Sequence, residues 1–262
     1  MVAIVFMVAG MSSRFGGKPK QLEKIGPNNE TLIEISVNQA LKNKFSELIF
    51  ITNKNTENLF MQIFGTKYNN ISVKYFQQNY NSLERKRPWG TTDAICILHD
   101  YLKTSFILVN GDDIYGENTF KTGFALMSNN NINIIGVSNL LKTLPESGIV
   151  NRGIVYVNDT KVEKLEERIG ISRENKELLN NYANVNFIGL QPNVLSLLND
   201  ILIKFKEKNK ENFIIECLLP NNISELINNG KIEMDYFIIK DEILGITNPG
   251  DEIIIRNKLK II

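Results

Sequence analysis

The chain is poor in the residues that most often carry chemistry. It has two cysteines, one histidine and one tryptophan, and its Lys plus Arg (30) almost cancel its Asp plus Glu (29). Cys96 and Cys217 each sit inside an apolar run, which excludes a disulfide scaffold and suits two buried thiols in a reducing compartment. The lone histidine, His99, falls within an inferred helix and reads as structural. A formal net charge of +1 leaves no overall field for nucleic acid or a membrane surface, so any affinity for phosphate must be local. No apolar run approaches the ~20 residues that a membrane span needs. The opening MVAIVFMVAG lacks a basic flank and a small-residue cleavage pattern, so it is expected to be a buried strand and not a signal peptide. A cytoplasmic protein is the expectation.

What is present is an alternation. Short β-branched and apolar runs at Val2–Val8, Glu47–Thr52, Ser72–Phe76, Phe106–Val109 and Ile132–Ser138 are separated by amphipathic stretches at Thr31–Lys42, Thr56–Phe64, Thr92–Tyr101 and Asn118–Met127. This pattern implies βαβ crossovers. Several of the helical stretches open with Thr or Asn, residues able to cap a first turn. The second half differs: a hairpin turning at Asn158-Asp159, then a strand Val185–Leu190, a helix Val194–Lys208, a helix Ile223–Asn229, a strand Ile232–Ile239 and a final helix from Asp251. There is no Pro/Ser-rich linker and no internal repeat. The expected fold is a single α/β domain over residues 1–262, a Rossmann-like three-layer α/β/α arrangement around a mostly parallel mixed sheet. Within it, residues 1–140 would bind nucleotide and 141–262 an acceptor.

The first strand runs into Ala9-Gly10-Met11-Ser12-Ser13-Arg14-Phe15-Gly16-Gly17-Lys18-Pro19-Lys20-Gln21-Leu22. The carboxyl end of a first parallel strand is where open α/β sheets bind ligands. Small residues there let backbone N–H groups approach a polyphosphate, and Arg14 and Lys20 can offset its charge. The spacing is neither Gly-x-x-x-x-Gly-Lys-Ser/Thr nor Gly-x-Gly-x-x-Gly, which counts against a P-loop ATPase and a dinucleotide oxidoreductase.

This loop resembles the signature of the sugar-nucleotidyltransferase family, a strand followed by (Ala/Gly)-Gly-x-(Gly/Ser)-(Ser/Thr)-Arg and a later Lys. The resemblance implies that Ala9, Gly10, Ser12, Ser13 and Arg14 hold a triphosphate and that Lys20 neutralises the α-phosphate under attack. Met11 stands where Gly is commonest, and one extra residue before Lys20 makes Lys18 a competitor. Two further motifs follow in the family's order. Pro88-Trp89-Gly90-Thr91-Thr92-Asp93-Ala94 resembles its Gly-Thr-x-x-Ala segment, placing Gly90 and Thr91 at the nucleotide, with Thr92 read as a helix cap. Gln77, or else Gln78, stands where the family reads the base edge. Val109-Asn110-Gly111-Asp112-Asp113 closes a central strand. A carboxylate there is placed to hold Mg²⁺, which takes one or two carboxylates plus phosphate oxygens, and the resemblance picks Asp112. Asp113 reads as an Asx turn.

For the acceptor, the similarity continues through Pro145-Glu146-Ser147-Gly148, Arg152-Gly153 and Leu165-Glu166-Glu167-Arg168. It implies Gly148, Glu167 (sugar hydroxyls), Arg168 (acceptor phosphate) and Asn186 as contacts. In the closing Leu244-Gly245-Ile246-Thr247-Asn248-Pro249-Gly250-Asp251, where the family often carries a second metal ligand, the aligned residue is Gly245 or Thr247; Asn248 and Asp251 are the substitutes. The implied activity is Mg²⁺-dependent transfer of a nucleoside monophosphate from an NTP to a phosphorylated acceptor, a sugar 1-phosphate above all, as in polysaccharide biosynthesis. The acceptor phosphate is its own nucleophile, so no histidine base is required. Rival readings are a cytidylyltransferase for a phospho-alcohol, a nucleotide-sugar-dependent glycosyltransferase, and an inactive nucleotide-sugar sensor. No nucleic acid or membrane partner is expected, and the base used and homo-oligomerisation are left open.

Overall fold

The structure, a computed structural model, describes residues 1–10, 19–146, 148–246 and 250–259. In chain order the elements are β1 (Val2–Met7), a 3-10 turn (Lys20–Leu22), α1 (Leu32–Leu41), β2 (Leu48–Thr52), α2 (Glu57–Phe64), β3 (Lys67–Tyr68), β4 (Ile71–Gln77), α3 (Thr91–Cys96), β5 (Ser105–Asn110) and β6 (Asp113–Ile114). There follow α4 (Glu117–Asn129), β7 (Asn133–Asn139), α5 (Leu140–Thr143), β8 (Val150–Asn158), β9 (Lys161–Ile171), β10 (Tyr182–Leu190), α6 (Pro192–Lys208), α7 (Leu219–Asn228), β11 (Met234–Ile238), β12 (Leu244–Gly245) and α8 (Asp251–Leu259).

The strands form one 10-stranded sheet in the order β3-β4-β2-β1-β5-β10-β7-β11-β9-β8, and β6 and β12 pair separately. Strands β4, β2, β1 and β5 are mutually parallel, as are β7 and β11. The apolar runs that betrayed β1, β2 and β5 are continuous because both faces of these strands are covered. Ala3, Val5, Ile49, Ile51 and Leu108 face a core with residues of α3, α6 and α7. Val2, Ile4, Phe6, Phe50, Ile107 and Val109 face a second core with residues of α1, α2 and α4. Three layers result, as the sequence implied. Strand β10, from the second half of the chain, lies antiparallel between β5 and β7, so the two halves share one sheet. Among the described residues no helix is long and apolar enough to cross a membrane.

The caps are more varied than the sequence suggested. Thr31 forms a capping box: its Oγ1 accepts from the Glu34 N–H and its own N–H donates to the Glu34 carboxylate, a reciprocal arrangement that satisfies two end donors of α1. Thr56, Thr92 and Asn118 do not cap. Asn53 accepts from the Thr56 N–H at 3.1 Å, Thr92 lies inside α3, and α4 is closed from a distance by Asp241, which accepts from the Thr119 N–H at 2.8 Å.

Two features set up the site. The register pairs Met7 with Asn110 and Thr52 with Gln77, so the carboxyl ends of β1, β5, β2 and β4 share one edge. Strand β10 carries an irregularity between Asn184 and Phe187, with Asn186 at φ 58°. Asn184 stabilises it by accepting from the Asn186 N–H at 2.9 Å, and the bulge re-aims side chains as such insertions do.

Candidate active site

At the shared edge, three distant segments converge. Lys20, in the 3-10 turn, forms an ion pair with Asp112 and donates to the carbonyl oxygen of Ile246 at 2.6 Å. The loop carrying Asp112 is held against β1 by the Gly111 N–H donating to Met7 O at 3.0 Å, and against the closing segment by the Ile246 N–H donating to Asp112 O at 3.2 Å. Both side chains are largely covered, with 19% and 25% exposure. Lys20 therefore bridges oxygens from two chain segments beside the open end of the sheet. Ala9 O accepts from the Asn53 side chain at 3.0 Å, and Gly10, exposed, has open space where a side chain would project. Ser12, Ser13, Arg14 and Lys18 lie outside the described residues.

Asp113 is not an Asx turn. It belongs to β6, opposite Gly245 of β12, and a β-carbon at Gly245 would fall 2.0 Å from Asp113 Oδ1. Its other oxygen, Oδ2, accepts from Asn110 Nδ2 at 3.0 Å and lies 3.5 Å from the Tyr115 hydroxyl. That hydroxyl donates to Val185 O at 2.9 Å, tying β6 to the β10 bulge. Burial pushes the Asp113 carboxyl up and the charge of Asp112 adds to it, while Asn110, Lys20 and Tyr115 oppose the shift. Burial also pushes Tyr115 up.

Beside this pair opens a cavity of 600 Å³ lined by Asn110, Asp113, Arg152, Asn184, Asn186 and Lys240 among others. An adjoining cavity of 340 Å³ is lined by Thr91, Arg152, Glu167, Asn184, Asn186 and Asn221 among others. Arg152, Asn184 and Asn186 border both. The Glu167 carboxyl is pushed up by burial, with Arg152 acting against the shift. Thus Asn186, Glu167 and Thr91 share a cleft. Arg168 lines neither cavity; it is exposed and pairs with Glu166 at 3.1 Å, directly opposite Arg152 in the β8–β9 pair, and Arg152 lines the cleft. Gly148, at φ 90°, lies in the preceding loop and lines neither cavity.

The glycine of the second motif has a reason within the chain. Gly90, at φ 99°, approaches the backbone of Cys217 so closely that a β-carbon would sit 2.6 Å from its carbonyl oxygen. Cys217 N–H donates to Trp89 O at 2.7 Å, Thr92 N–H donates to Cys217 O at 3.0 Å, and Thr91 Oγ1 accepts from the Leu219 N–H at 2.9 Å. Thr92, read as a cap, instead accepts from Asn222 Nδ2 at 2.7 Å in the interior. Gln78 is also structural: its amide donates to Gly90 O and to Asp93, each at 2.9 Å. Gln77, from the last position of β4, donates to Glu57 at 2.9 Å. Arg85, which sequence reading missed, holds the intervening loop by donating to Asn212 O and Ile215 O, each at 2.7 Å, with its guanidinium 3.3 Å from the Trp89 ring centre.

His99 contacts Ser196 at 3.2 Å, away from these loops. Thr247 and Asn248 lie outside the described residues, and Asp251 opens α8, where a carboxylate complements the helix dipole. Among the described residues no group of three or more His, Cys, Asp or Glu is gathered.

The sequence profile of the nucleotidyl transferase family matches residues 14–216. No curated protein matches. Among solved structures, the fold is similar to that of UDP-glucose pyrophosphorylase complexed with UDP-glucose (TM-score 0.70, 17% identity, covering 100% of this chain and 99% of that one). It is similar also to the inositol-1-phosphate CTP transferase from T. maritima (0.70, 16% identity, 98% and 96%). A third likeness is to the nucleoside-diphosphate-sugar pyrophosphorylase from Vibrio cholerae RC9 (0.70, 18% identity, 98% and 100%).

Proposed function

Because this chain belongs to the nucleotidyl transferase family, we propose that it transfers a nucleoside monophosphate from an NTP to a sugar 1-phosphate, giving an NDP-sugar and pyrophosphate. The observation that carries this reading is the meeting of Lys20 and Asp112 at the sheet edge, next to a cleft bordered by Arg152, Glu167 and Asn186. An enzyme that joins a triphosphate to a phosphorylated polyol needs cations at one end and hydrogen-bonding groups at the other.

Enzymes of this family generally use divalent metal ions, and we assign Mg²⁺. The donor set fits a hard cation: Lys20 already places a positive charge between a carboxylate and a backbone carbonyl, and Mg²⁺ favours such oxygens, one or two carboxylates with the remainder from phosphate and water. Asp112 would hold it; when bound, the ion neutralises charge on the phosphates. Ala9, Gly10, Ser12, Ser13 and Arg14 would cradle the triphosphate, with Gln77, Gly90 and Thr91 toward the nucleoside. Lys20 would stabilise charge building on the α-phosphate, a contribution of ~2.7–4 kcal/mol where one such donor has been removed from other enzymes. Glu167 and Asn186 would orient the sugar and Arg152 its phosphate, whose oxygen attacks the α-phosphorus in line and expels pyrophosphate. The phosphate dianion needs no base, so alignment, worth ~7–11 kcal/mol, carries much of the rate. NTP as substrate and two buried free thiols suit a cytoplasmic enzyme.

The test is a matrix of the four common NTPs against sugar 1-phosphates, with inositol 1-phosphate and phospho-alcohols as further acceptors, read as pyrophosphate released. Release that needs both substrates and Mg²⁺ supports the reading. Release with an acyclic phospho-alcohol alone would move the acceptor class, and its absence in every pairing would refute the proposal.

A further inference from the structure

We propose that the acceptor carries a second anionic group, a carboxylate or a second phosphate, which Lys142 and Lys240 receive in the 600 Å³ cavity beside the sugar cleft. The inference rests on the nucleotidyl transfer reading and deepens it, narrowing the acceptor from sugar 1-phosphates in general to those with a further negative charge.

The topology brings the two lysines together. Strands β7 and β11 run parallel, with Val137 opposite Ile238, so both end at one side of the sheet. Lys142 follows β7 in α5 and Lys240 follows β11. The Ile239 N–H donates to Val137 O at 2.8 Å, which holds the second strand end against the first. The carboxyl ends of parallel strands are where such sheets take ligands. Arg152 joins the group from β8: its guanidinium donates to Thr143 O at 3.0 Å, which ties it to the end of α5 beside Lys142.

The uncommitted charge of this cavity is positive. Its cations are Lys142, Arg152 and Lys240, and among the described residues no carboxylate lies within ion-pair distance of any of them. Its acids are engaged with other groups. Asp241 accepts from the Thr119 N–H at 2.8 Å and from the Asn118 side chain at 3.2 Å. Glu242 pairs with Lys258, and Asp113 accepts from Asn110 at 3.0 Å. Uncompensated cations converging on a cleft raise the local concentration of anions and hold them by charge-assisted hydrogen bonds.

The cavity is placed to share a ligand with the sugar cleft. Arg152, Asn184 and Asn186 border both, whereas Lys142 and Lys240 line the larger only, and Glu167 and Asn221 line the smaller and not the larger. A ring seated at this boundary can turn hydroxyls toward Glu167 and Asn221 and a substituent toward the lysines. A sugar with no charge beyond its 1-phosphate leaves the two ammonium groups unanswered. An anionic substituent answers them.

The experiment is isothermal titration calorimetry on the full chain. Glucose 1-phosphate and galactose 1-phosphate are compared with the corresponding uronic acid 1-phosphates and with glucose 1,6-bisphosphate. The wild type is expected to bind a doubly anionic member at least about tenfold more tightly than its parent, the scale of one hydrogen bond to a charged group. The double variant Lys142→Gln/Lys240→Gln, which keeps polar side chains and removes both charges, is expected to erase most of that preference. Preference for the uronic acids alone identifies a carboxylate, and preference for the bisphosphate alone a second phosphate; either supports the proposal. Equal affinity for singly and doubly anionic sugars in the wild type overturns it, as does a preference that survives in the double variant. Loss of affinity by the same factor for every sugar overturns it too, because the lysines would then serve the phosphate common to all. Calorimetry needs no turnover, so a wild type that prefers the doubly anionic sugars yet releases no pyrophosphate with any NTP marks the failure of the nucleotidyl transfer reading alone.

Discussion

Gly90 is packed against the backbone of Cys217, with no room for a β-carbon between them: its nearest approach would be 2.6 Å to the Cys217 carbonyl oxygen and 2.8 Å to its nitrogen. Here the glycine that marks the nucleotide motif is required first by the fold, because the segment after Trp89 is zipped onto the segment before α7. Gly90→Ala is therefore expected to destabilise the protein as a whole by about 1–3 kcal/mol, from overpacking and from a φ that L-residues rarely adopt. A chain of this size loses about 2–4 °C in Tm per kcal/mol. Differential scanning fluorimetry showing an unchanged Tm would show that the two segments separate freely.

Asp112→Ala is expected to abolish pyrophosphate release while the fold persists, since the residue lies in a loop and its only charged partner among the described residues is Lys20. Circular dichroism controls for folding. Near-wild-type turnover in a folded variant would remove Asp112 from the metal site.

Much of the fold is legible because β1, β2, β5 and most of β7 are buried and so write themselves as unbroken apolar runs, while the half-exposed β4 alternates apolar and polar residues. The runs over β1, β2, β4, β5 and β7 were located to within a residue or two of their ends. The helix expected to reach Tyr101 stops at Cys96, since the following N–H groups of Leu98, His99 and Tyr101 donate three residues back, a tightening that apolar spacing does not reveal. The two-residue strands β3, β6 and β12 are too short to carry a period. The site divides in the same way. Lys20 and Asp112 stand in contiguous motifs, each legible on its own. The Asp113–Gly245 relation joins residues far apart in sequence, and Arg152 and Arg168 stand directly opposite each other in the β8–β9 hairpin, so which of them lines the cleft depends on neighbouring loops that strand periodicity does not reveal.

The cysteines provide a test of burial. The Cys96 thiol is pushed up to about 12 by burial, with Asp93 and Cys217 adding to the shift, and burial also raises Cys217. Thiolate is the reactive form, so at pH 8 neither should react with a disulfide reagent in the native protein, and both should after denaturation. Rapid native labelling at either position would show that α3 and the α7 segment open readily.

Arg152 and Arg168 face different surroundings. Arg152 borders both cavities and donates to Thr143 O at 3.0 Å, whereas Arg168 is exposed against Glu166. Hydrogen bonds to charged groups contribute about 1.5–3 kcal/mol, so Arg152→Ala should raise the acceptor KM roughly 10- to 100-fold with a smaller effect on the NTP. Arg168→Ala should leave both nearly unchanged, because an exposed pair of this kind contributes little. The opposite ranking in steady-state kinetics would mean that the hairpin turns over when substrate binds.

The last prediction separates Lys20 from Lys18. Pro19, at φ −64° and ψ 105°, fixes an extended step before the 3-10 turn, and proline biases the residue ahead of it toward an extended conformation as well. Lys18 lies outside the described residues, and we take Lys20, which directly precedes Gln21-Leu22, as the lysine that meets the α-phosphate. Lys20 is already held at the sheet edge by Asp112 and Ile246 O, which keeps its ammonium near the point where the triphosphate and metal would bind. Lys20→Ala should therefore cost about 10²–10³ in kcat, the loss of a charge that acts in the transition state. It should also tighten the binding of Mg²⁺ in the absence of nucleotide, because the ammonium and the ion compete for Asp112. Lys18→Ala should lose about tenfold or less, as an outer contact screened by water. Turnover at saturating NTP and Mg²⁺ decides the ranking, and calorimetric titration of Mg²⁺ decides the competition. A larger loss for Lys18→Ala would move the catalytic charge to the other side of Pro19.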